Sequence, residues 1–189
     1  MNRIIFIFVI AIFLGCDEKS VTEFDQVTAY YNGFKTGSFD QIKESISDSI
    51  TLVEGSYVML YTKQSFHEHF KWDSIFKPVY EVVKMEPLEN SYVAEISVKS
   101  LRFDFLKNNP LASRQRFYFE SGKISRVENV GFMGADWEQW NIQKESLVHW
   151  IALHKPELDG FINDLTMQGG LNYLEAIKLY ENRPVEEID

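Results

Sequence analysis

Two ionisable side chains at helical spacing are the best candidates for acid–base chemistry in this chain. His69 and Asp73 are four residues apart, so on a helix they lie on one face. A carboxylate beside an imidazole holds its tautomer and raises its basicity, which is what a general base requires. The alternative is a solvated pair that stabilises the helix by about 0.2–0.5 kcal/mol.

Asp104 is a second candidate acid, because it lies between Phe103 and Phe105 in a segment that alternates polar and apolar residues. On a strand, burial among aromatic rings would raise the pKa of the Asp104 carboxyl. The alternative is that Asp104 faces outwards on that strand.

Aromatic residues could also line a ligand cavity, although at their spacings they build ordinary cores as well; the candidates are Tyr30, Tyr31, Trp72 and Tyr118.

The sequence lacks the common motifs that hold metals and cofactors. His67-Glu68-His69 is too tightly spaced to place both imidazoles on one helix face, and no HExxH motif occurs. A P-loop, a dinucleotide-binding glycine pattern and a nucleophile elbow are missing from the sequence as well. We therefore expect no metal and no cofactor.

The first sixteen residues predict export. Arg3 precedes an uninterrupted apolar run from Ile4 to Leu14, which is too short to cross a bilayer core of roughly 30 Å. The segment Phe13-Leu14-Gly15-Cys16 resembles a bacterial lipobox, and this resemblance implies that Cys16 is acylated and becomes the mature N-terminus. An ordinary secretory signal and an uncleaved anchor are the alternatives.

Cys16 is the only cysteine in the chain, so an internal disulfide is excluded and acylation would consume an otherwise free thiol. We expect residues 1–15 to be a signal peptide and residues 16–22 a tether. The acyl chains on Cys16 would then hold the protein on a lipid bilayer. The predicted location is the bacterial cell envelope, on the periplasmic or cell-surface side of a membrane.

The charge of the chain argues against nucleic acid as a partner. From Cys16 onwards there are 18 basic and 28 acidic residues, which gives a net charge of −10. Nucleic-acid binding depends on Lys and Arg displacing counterions from phosphates, and no basic stripe with interleaved aromatic residues occurs.

Apolar spacing predicts three helices in the first part of the chain. The first covers residues 24–36, the second is opened by a capping box of Ser38 and Gln41, and the third runs from the N-cap Thr62 to about Ile75.

Period-two alternation then predicts strands. The predicted strands are 50–53, 77–86, 92–105, 113–120 and 123–130, with a hairpin turn at Ser121-Gly122. This order indicates an α+β fold with helices packed on one side of a curved antiparallel sheet.

The chain resembles the nuclear-transport-factor-2-like (NTF2-like) superfamily, which includes SnoaL-like and ketosteroid-isomerase-like proteins. Two features carry the resemblance: helix 24–36 running into Gly37-Ser38-Phe39-Asp40, and the hairpin over 117–127. It implies a cone-shaped domain over residues 23–131, with a pocket between the helices and the concave face of the sheet. Members use this pocket for catalysis, ligand binding or dimerisation, and the fold does not choose among these uses.

Residues 132–189 form a helical extension with 4 basic and 11 acidic residues. Its first helix has an apolar stripe from Trp137 to Ile151 and ends at Pro156, where a second helix begins; Gly169-Gly170 separates that helix from a last one. Trp150 lies opposite the stripe, so we expect the extension to contact a protein partner or a second copy of the chain. The alternative is a lid packed on the sheet.

Three functional interpretations follow. The first, which the sequence favours, is an envelope lipoprotein whose non-catalytic domain binds a small apolar ligand or a protein partner. The second is a pocket enzyme of the isomerase, dehydratase or hydrolase kind, with His69 or Asp104 as its base. The third is a structural assembly component of the envelope, which predicts a filled cone. A cavity-facing His69 or Asp104 would favour the enzyme.

Overall fold

The computed structural model describes residues 22–184, so the predicted signal peptide and Cys16 lie outside the described residues. The helices are α1 (Glu23–Thr36), α2 (Phe39–Ser45), α3 (Lys63–Ser74), α4 (Leu101–Phe105), α5 (Trp137–His154) and α6 (Met167–Glu181). The strands are β1 (Ile46–Glu54), β2 (Tyr57–Thr62), β3 (Val79–Leu88), β4 (Ser91–Lys99), β5 (Leu111–Glu120) and β6 (Lys123–Met133).

The six strands form one sheet in the order β2-β1-β6-β5-β4-β3. Every neighbouring pair is antiparallel except β1 and β6, which run parallel. Apolar side chains of α1, α2, α3 and the sheet form the main core. The predicted α+β class, with helices packed on a mainly antiparallel curved sheet, is confirmed.

Local capping explains where the first and third helices begin. Thr22 caps α1 with a complete capping box, and α1 ends at Gly37, whose φ of 69° is left-handed. Thr62 caps α3 as predicted, because its hydroxyl accepts from the backbone N–H of Ser65 at 3.2 Å. The predicted capping box at the start of α2 is wrong, since Ser38 makes no side-chain cap bond.

The strand predicted over 92–105 is wrong beyond Lys99. Ser100 instead caps the short helix α4, because its hydroxyl accepts from the backbone N–H of Phe103 at 3.2 Å. Asp104 therefore lies on a helix and is exposed. The hairpin turn is confirmed: Ser121 and Gly122 have φ values of 51° and 74°, as a tight two-residue turn requires.

The C-terminal extension packs on the α+β domain and buries a second apolar cluster. Leu147 and Ile151 of α5 and Tyr173 of α6 meet Trp72 and Phe76 at the end of α3. Trp150 is only 9% exposed and makes an edge contact with Tyr180 of α6, 5.9 Å between ring centroids. The same chain therefore covers Trp150, which no longer supports the expectation of a partner for the extension.

The segment between α5 and α6 differs from the prediction. Instead of a second helix after Pro156, there are two single 3₁₀ turns, Pro156–Leu158 and Phe161–Asn163. Gly169-Gly170 does not break a helix, because both glycines lie in the first turns of α6. Thr166 is the N-cap of α6, and its hydroxyl accepts from the backbone N–H of Gly169. None of the helices in residues 22–184 combines the length and apolar character that a bilayer crossing requires.

The two glycines are packing residues. A Cβ on Gly169 would overlap the backbone carbonyl oxygen of Asp164, and one on Gly170 would lie 3.1 Å from the carbonyl oxygen of Trp72. Gly170 thus lets α6 lie directly against the end of α3.

We expect Gly169→Ala to lower the free energy of unfolding by about 1–3 kcal/mol, because backbone atoms must move to make room for the methyl group. Urea denaturation followed by circular dichroism measures this. Gly131→Ala is the matched control, since a Cβ there meets nothing within 4 Å, and it should change stability by less than about 0.5 kcal/mol. Equal stability of the two variants would contradict this packing role.

Candidate functional site

A cavity of about 580 Å³ lies between α1, α3 and the inner face of the sheet, and its volume is typical of small-molecule sites. Much of its wall is apolar, formed by residues that include Leu52, Val98, Leu111, Val127, Phe132 and Trp140. Trp137 and Leu165 also line it and are 43% and 54% exposed, so they mark its opening. The filled cone predicted for a structural component is therefore wrong.

His69 projects into this cavity from α3. Its imidazole lies among the rings of Tyr61, Phe66 and Trp72, with centroid distances of 5.5, 5.7 and 6.4 Å. Neither ring nitrogen has a hydrogen-bond partner among residues 22–184. Burial is the main influence on the pKa of His69 and lowers it from 6.5; nearby Arg102 lowers it further and Asp73 opposes both. The imidazole is therefore neutral at pH 7 and free to bond to a ligand.

Asp73 lies one helical turn after His69, lines the same cavity and is only 9% exposed. The Tyr80 hydroxyl donates to Oδ2 of Asp73 at 3.1 Å. Burial raises the pKa of the Asp73 carboxyl above its ordinary value, although Arg102, His69 and the Tyr80 hydrogen bond favour the ionised form. The pair predicted from its i, i+4 spacing therefore faces the cavity and not the solvent.

Tyr30 and Tyr31 of α1 both line the cavity, but their hydroxyls differ in hydrogen bonding. Tyr31 donates to Oε1 of Gln115 at 2.5 Å, and the Gln115 amide donates to Ser113 at 3.1 Å, so these three residues are paired with one another. The Tyr30 hydroxyl has no hydrogen-bond partner within the described part of the chain. Burial, reinforced by the charge of Asp73, raises the pKa of Tyr30 well above 10, so this hydroxyl keeps its proton.

Arg102 brings a positive charge to the cavity from α4. Its guanidinium carbon lies 4.8 Å from the ring centroids of both Trp72 and Phe103. No carboxylate of residues 22–184 forms an ion pair with it, and its Nε is buried without a hydrogen-bond partner.

The structure separates the residues that the sequence proposed for the site. His69, Asp73, Tyr30, Tyr31 and Trp72 all line the cavity. Asp104 does not line it: the carboxyl is exposed and accepts a hydrogen bond from Asn109 at 3.4 Å. Burial of Asp104 among aromatic rings is therefore wrong, and the alternative of an outward-facing side chain is confirmed, although on a helix and not on a strand.

Tyr118 also lies away from the cavity. On β5 its neighbour Phe117 points into the core, and alternation sends Tyr118 to the opposite face of the sheet. There its hydroxyl donates to Glu128 at 3.3 Å and Arg126 lies over its ring at 5.5 Å. The expectation that Tyr118 lines the cavity is wrong for this reason.

Sequence reasoning missed most of the cavity residues, among them Tyr80, Arg102, Trp137 and Trp140. Ser100 followed by the consecutive apolar pair Phe105-Leu106 was the available signal for α4, and hence for Arg102. Trp137 and Trp140 were recognised as an apolar stripe, but only the folded chain brings that stripe to the cavity wall. Among residues 22–184, no cluster of three or more His, Cys, Asp or Glu side chains could hold a metal ion.

No protein-family model matches the chain, and no curated protein matches it significantly. Solved structures do resemble it. A protein from Kribbella flavida DSM 17836 has a TM-score of 0.50 at 12% identity, covering 67% of this chain and 99% of that one. An NTF2-like protein of unknown function from Cytophaga hutchinsonii has a TM-score of 0.48 at 16% identity, covering 61% and 94%.

A further similar structure is the epoxide hydrolase/cyclase-like enzyme SalBIII of pyran ring formation in salinomycin, with a TM-score of 0.48 at 14% identity, covering 59% of this chain and 91% of that one. The fold of the present chain is α+β, with helices packed on a curved, mainly antiparallel sheet and a C-terminal helical extension. At such low identities the similarity concerns the fold alone, and it does not indicate the chemistry of the cavity.

We expect His69 to titrate below pH 6.5, since burial is the main influence on its pKa. NMR titration of the imidazole proton resonances measures the midpoint, and His67→Gln assists the assignment. Asp73→Asn should move the midpoint to still lower pH, because it removes the charge that favours the imidazolium. A midpoint at or above 6.5 in the wild-type protein would contradict the described environment of His69.

Proposed function

We propose that the cavity is the active site of a cofactor-independent enzyme that moves a proton on a small, largely apolar carbonyl compound, with His69 as the base. The observation that carries this proposal is a neutral imidazole with two unpaired nitrogens in a mainly apolar cavity. This is the second of the three interpretations drawn from the sequence, with His69 and not Asp104 in the role of base.

The proton transfer uses three side chains. An unprotonated nitrogen of His69 takes a proton from the carbon next to the carbonyl group, and the C–H electron pair forms an enolate whose negative charge lies on oxygen. The protonated hydroxyl of Tyr30 donates a hydrogen bond to that oxygen. When the carbonyl compound is β,γ-unsaturated, the enolate is a conjugated dienolate, and return of the proton from His69 to its γ carbon moves the double bond into conjugation with the carbonyl group. The product is an isomer, and no other reactant is consumed.

Asp73 is a positioning residue in this scheme. Its charge favours the imidazolium that forms after proton abstraction, and the hydrogen bond from Tyr80 fixes the carboxyl. The opposing influences of burial and Asp73 keep His69 neutral before the reaction while limiting the cost of protonating it.

Ligand binding without catalysis is the second candidate, and the apolar wall formed by residues such as Val98, Leu111 and Phe132 favours it. This was the preferred interpretation of the sequence. Ligand binding needs neither a free imidazole nor an unpaired Tyr30 hydroxyl. The two candidates therefore differ in whether His69→Gln slows proton exchange on the bound ligand.

We expect the wild-type protein to exchange the protons next to the carbonyl groups of cyclohexanone, 2-tetralone or 4-oxodecanoate in D₂O. His69→Gln should slow this exchange by about 10²- to 10⁴-fold, the usual contribution of a general base. Proton NMR of the ketone signals measures the rate.

His67→Gln is the matched control on the same helix, because His67 stacks on Phe39 at 4.2 Å and does not line the cavity. It should exchange as fast as the wild type. Equal rates for wild type and His69→Gln would contradict His69 as the base. Binding without exchange in the wild type would support the second candidate.

We also propose that the protein is a lipoprotein of the bacterial cell envelope, held on a membrane by acylated Cys16. The support is the apolar leader and the lipobox-like segment ending at the only cysteine of the chain. Association of residues 132–189 with a partner or a second copy stays a prediction, without support from Trp150.

Cells expressing the protein and given a radioactive fatty acid should yield labelled protein in the membrane fraction. Cys16→Ala should abolish the label and shift the protein to the soluble fraction or to an uncleaved precursor. A label that survives Cys16→Ala, or an unlabelled wild-type protein, would contradict acylation at this residue.

A further inference from the structure

We propose that the cavity is selective for monocarboxylic acids with an apolar body, and that Arg102 receives the carboxylate. This inference rests on the proposed function because it concerns the same cavity, and it adds the chemical class of the substrate or ligand. It does not require His69 to act as a base.

Arg102 is fixed in place without a counter-ion. Its guanidinium lies over three rings, with 4.8 Å to Trp72, 4.8 Å to Phe103 and 5.4 Å to Phe76. These contacts hold its plane but provide no acceptor for its N–H groups. Within residues 22–184 the guanidinium makes no hydrogen bond and no ion pair.

The Asp73 carboxyl is close enough to Arg102 for their charges to interact, but it does not form an ion pair with the guanidinium. The charge of Arg102 lowers the pKa of Asp73, yet burial is the larger effect and raises it. The Asp73 carboxyl is bonded to Tyr80, and no ion pair within 4.0 Å joins it to Arg102. A half-buried cation in a mainly apolar wall is costly unless an anion pairs with it, and the cavity leaves that place for a ligand.

The chemistry of the guanidinium indicates which anion fits. Its planar fork matches a carboxylate with two parallel hydrogen bonds. A monoanion balances one guanidinium, whereas a phosphate dianion would add a further negative charge close to Asp73. The apolar part of the wall, including Val98, Leu111 and Phe132, suits an apolar body.

The overall charge does not explain such selectivity. The chain has a net charge of −9, so long-range electrostatics give anions no general attraction to it. A preference for a carboxylate over an alcohol of equal length must come from a local cation, and Arg102 is the cation that lines the cavity.

Decanoate and 1-decanol are matched probes, because they share chain length and differ in the ionised head group near pH 7.5. Isothermal titration calorimetry should show wild-type protein binding decanoate about tenfold more tightly than decanol, as one charge-assisted hydrogen-bonded pair provides. Arg102→Met keeps an unbranched side chain over the aromatic rings and removes the charge. It should bind the two probes within about twofold of each other.

Arg102→Lys keeps the charge but loses the planar fork of the guanidinium, so it should show an intermediate preference for decanoate over decanol. It also replaces Arg102→Met as the test variant if circular dichroism shows that Arg102→Met does not fold. Equal binding of the two probes by the wild type, binding of neither, or a preference that survives Arg102→Met would overturn the inference. His69→Gln should keep the decanoate preference. A decanoate preference in a wild-type protein that exchanges no ketone protons would contradict the proposed catalysis alone.

Discussion

Burial of the Asp73 carboxyl on the inner face of α3 is the constraint on which the cavity's electrostatics depend. Helical periodicity places Phe66, His69, Phe70 and Asp73 on one side of α3, so packing the two phenyl rings into the core brings the polar pair inward as well. A buried carboxyl needs a donor, and Tyr80 supplies it. The charge of Asp73 then influences His69 and Tyr30, while Arg102 influences Asp73 in turn.

The C-terminal extension completes the site that the α+β domain begins. Trp137 and Trp140 of α5 form part of the cavity wall, and Phe103 of α4 packs on Trp140 with 5.7 Å between ring centroids. Gly170 of α6 lies against Trp72 at the end of α3. The extension therefore shapes the cavity and supports the helix that carries His69 and Asp73.

The elements defined by local signals were predictable from the sequence, and those defined by tertiary contacts were not. Caps and apolar spacing located α1 and α3, and Ser121-Gly122 located the last hairpin. α4 was mistaken for strand because Arg102 and Asp104 alternate with apolar residues, as on a sheet. Gly169 and Gly170 suggested a helix break, but their lack of side chains serves close packing. The spacing of His69 and Asp73 predicted that they share one face of α3, whereas Arg102 and Tyr80 reach the cavity only in the folded chain.

A crystal structure of the protein soaked with decanoate would show directly which groups the cavity presents to a ligand. We expect the carboxylate on the Arg102 guanidinium, the alkyl chain against Phe132 and Trp140, and the His69 imidazole open to the bound molecule. Decanoate bound elsewhere, or Arg102 paired with Asp73 across a closed cavity, would contradict this expectation.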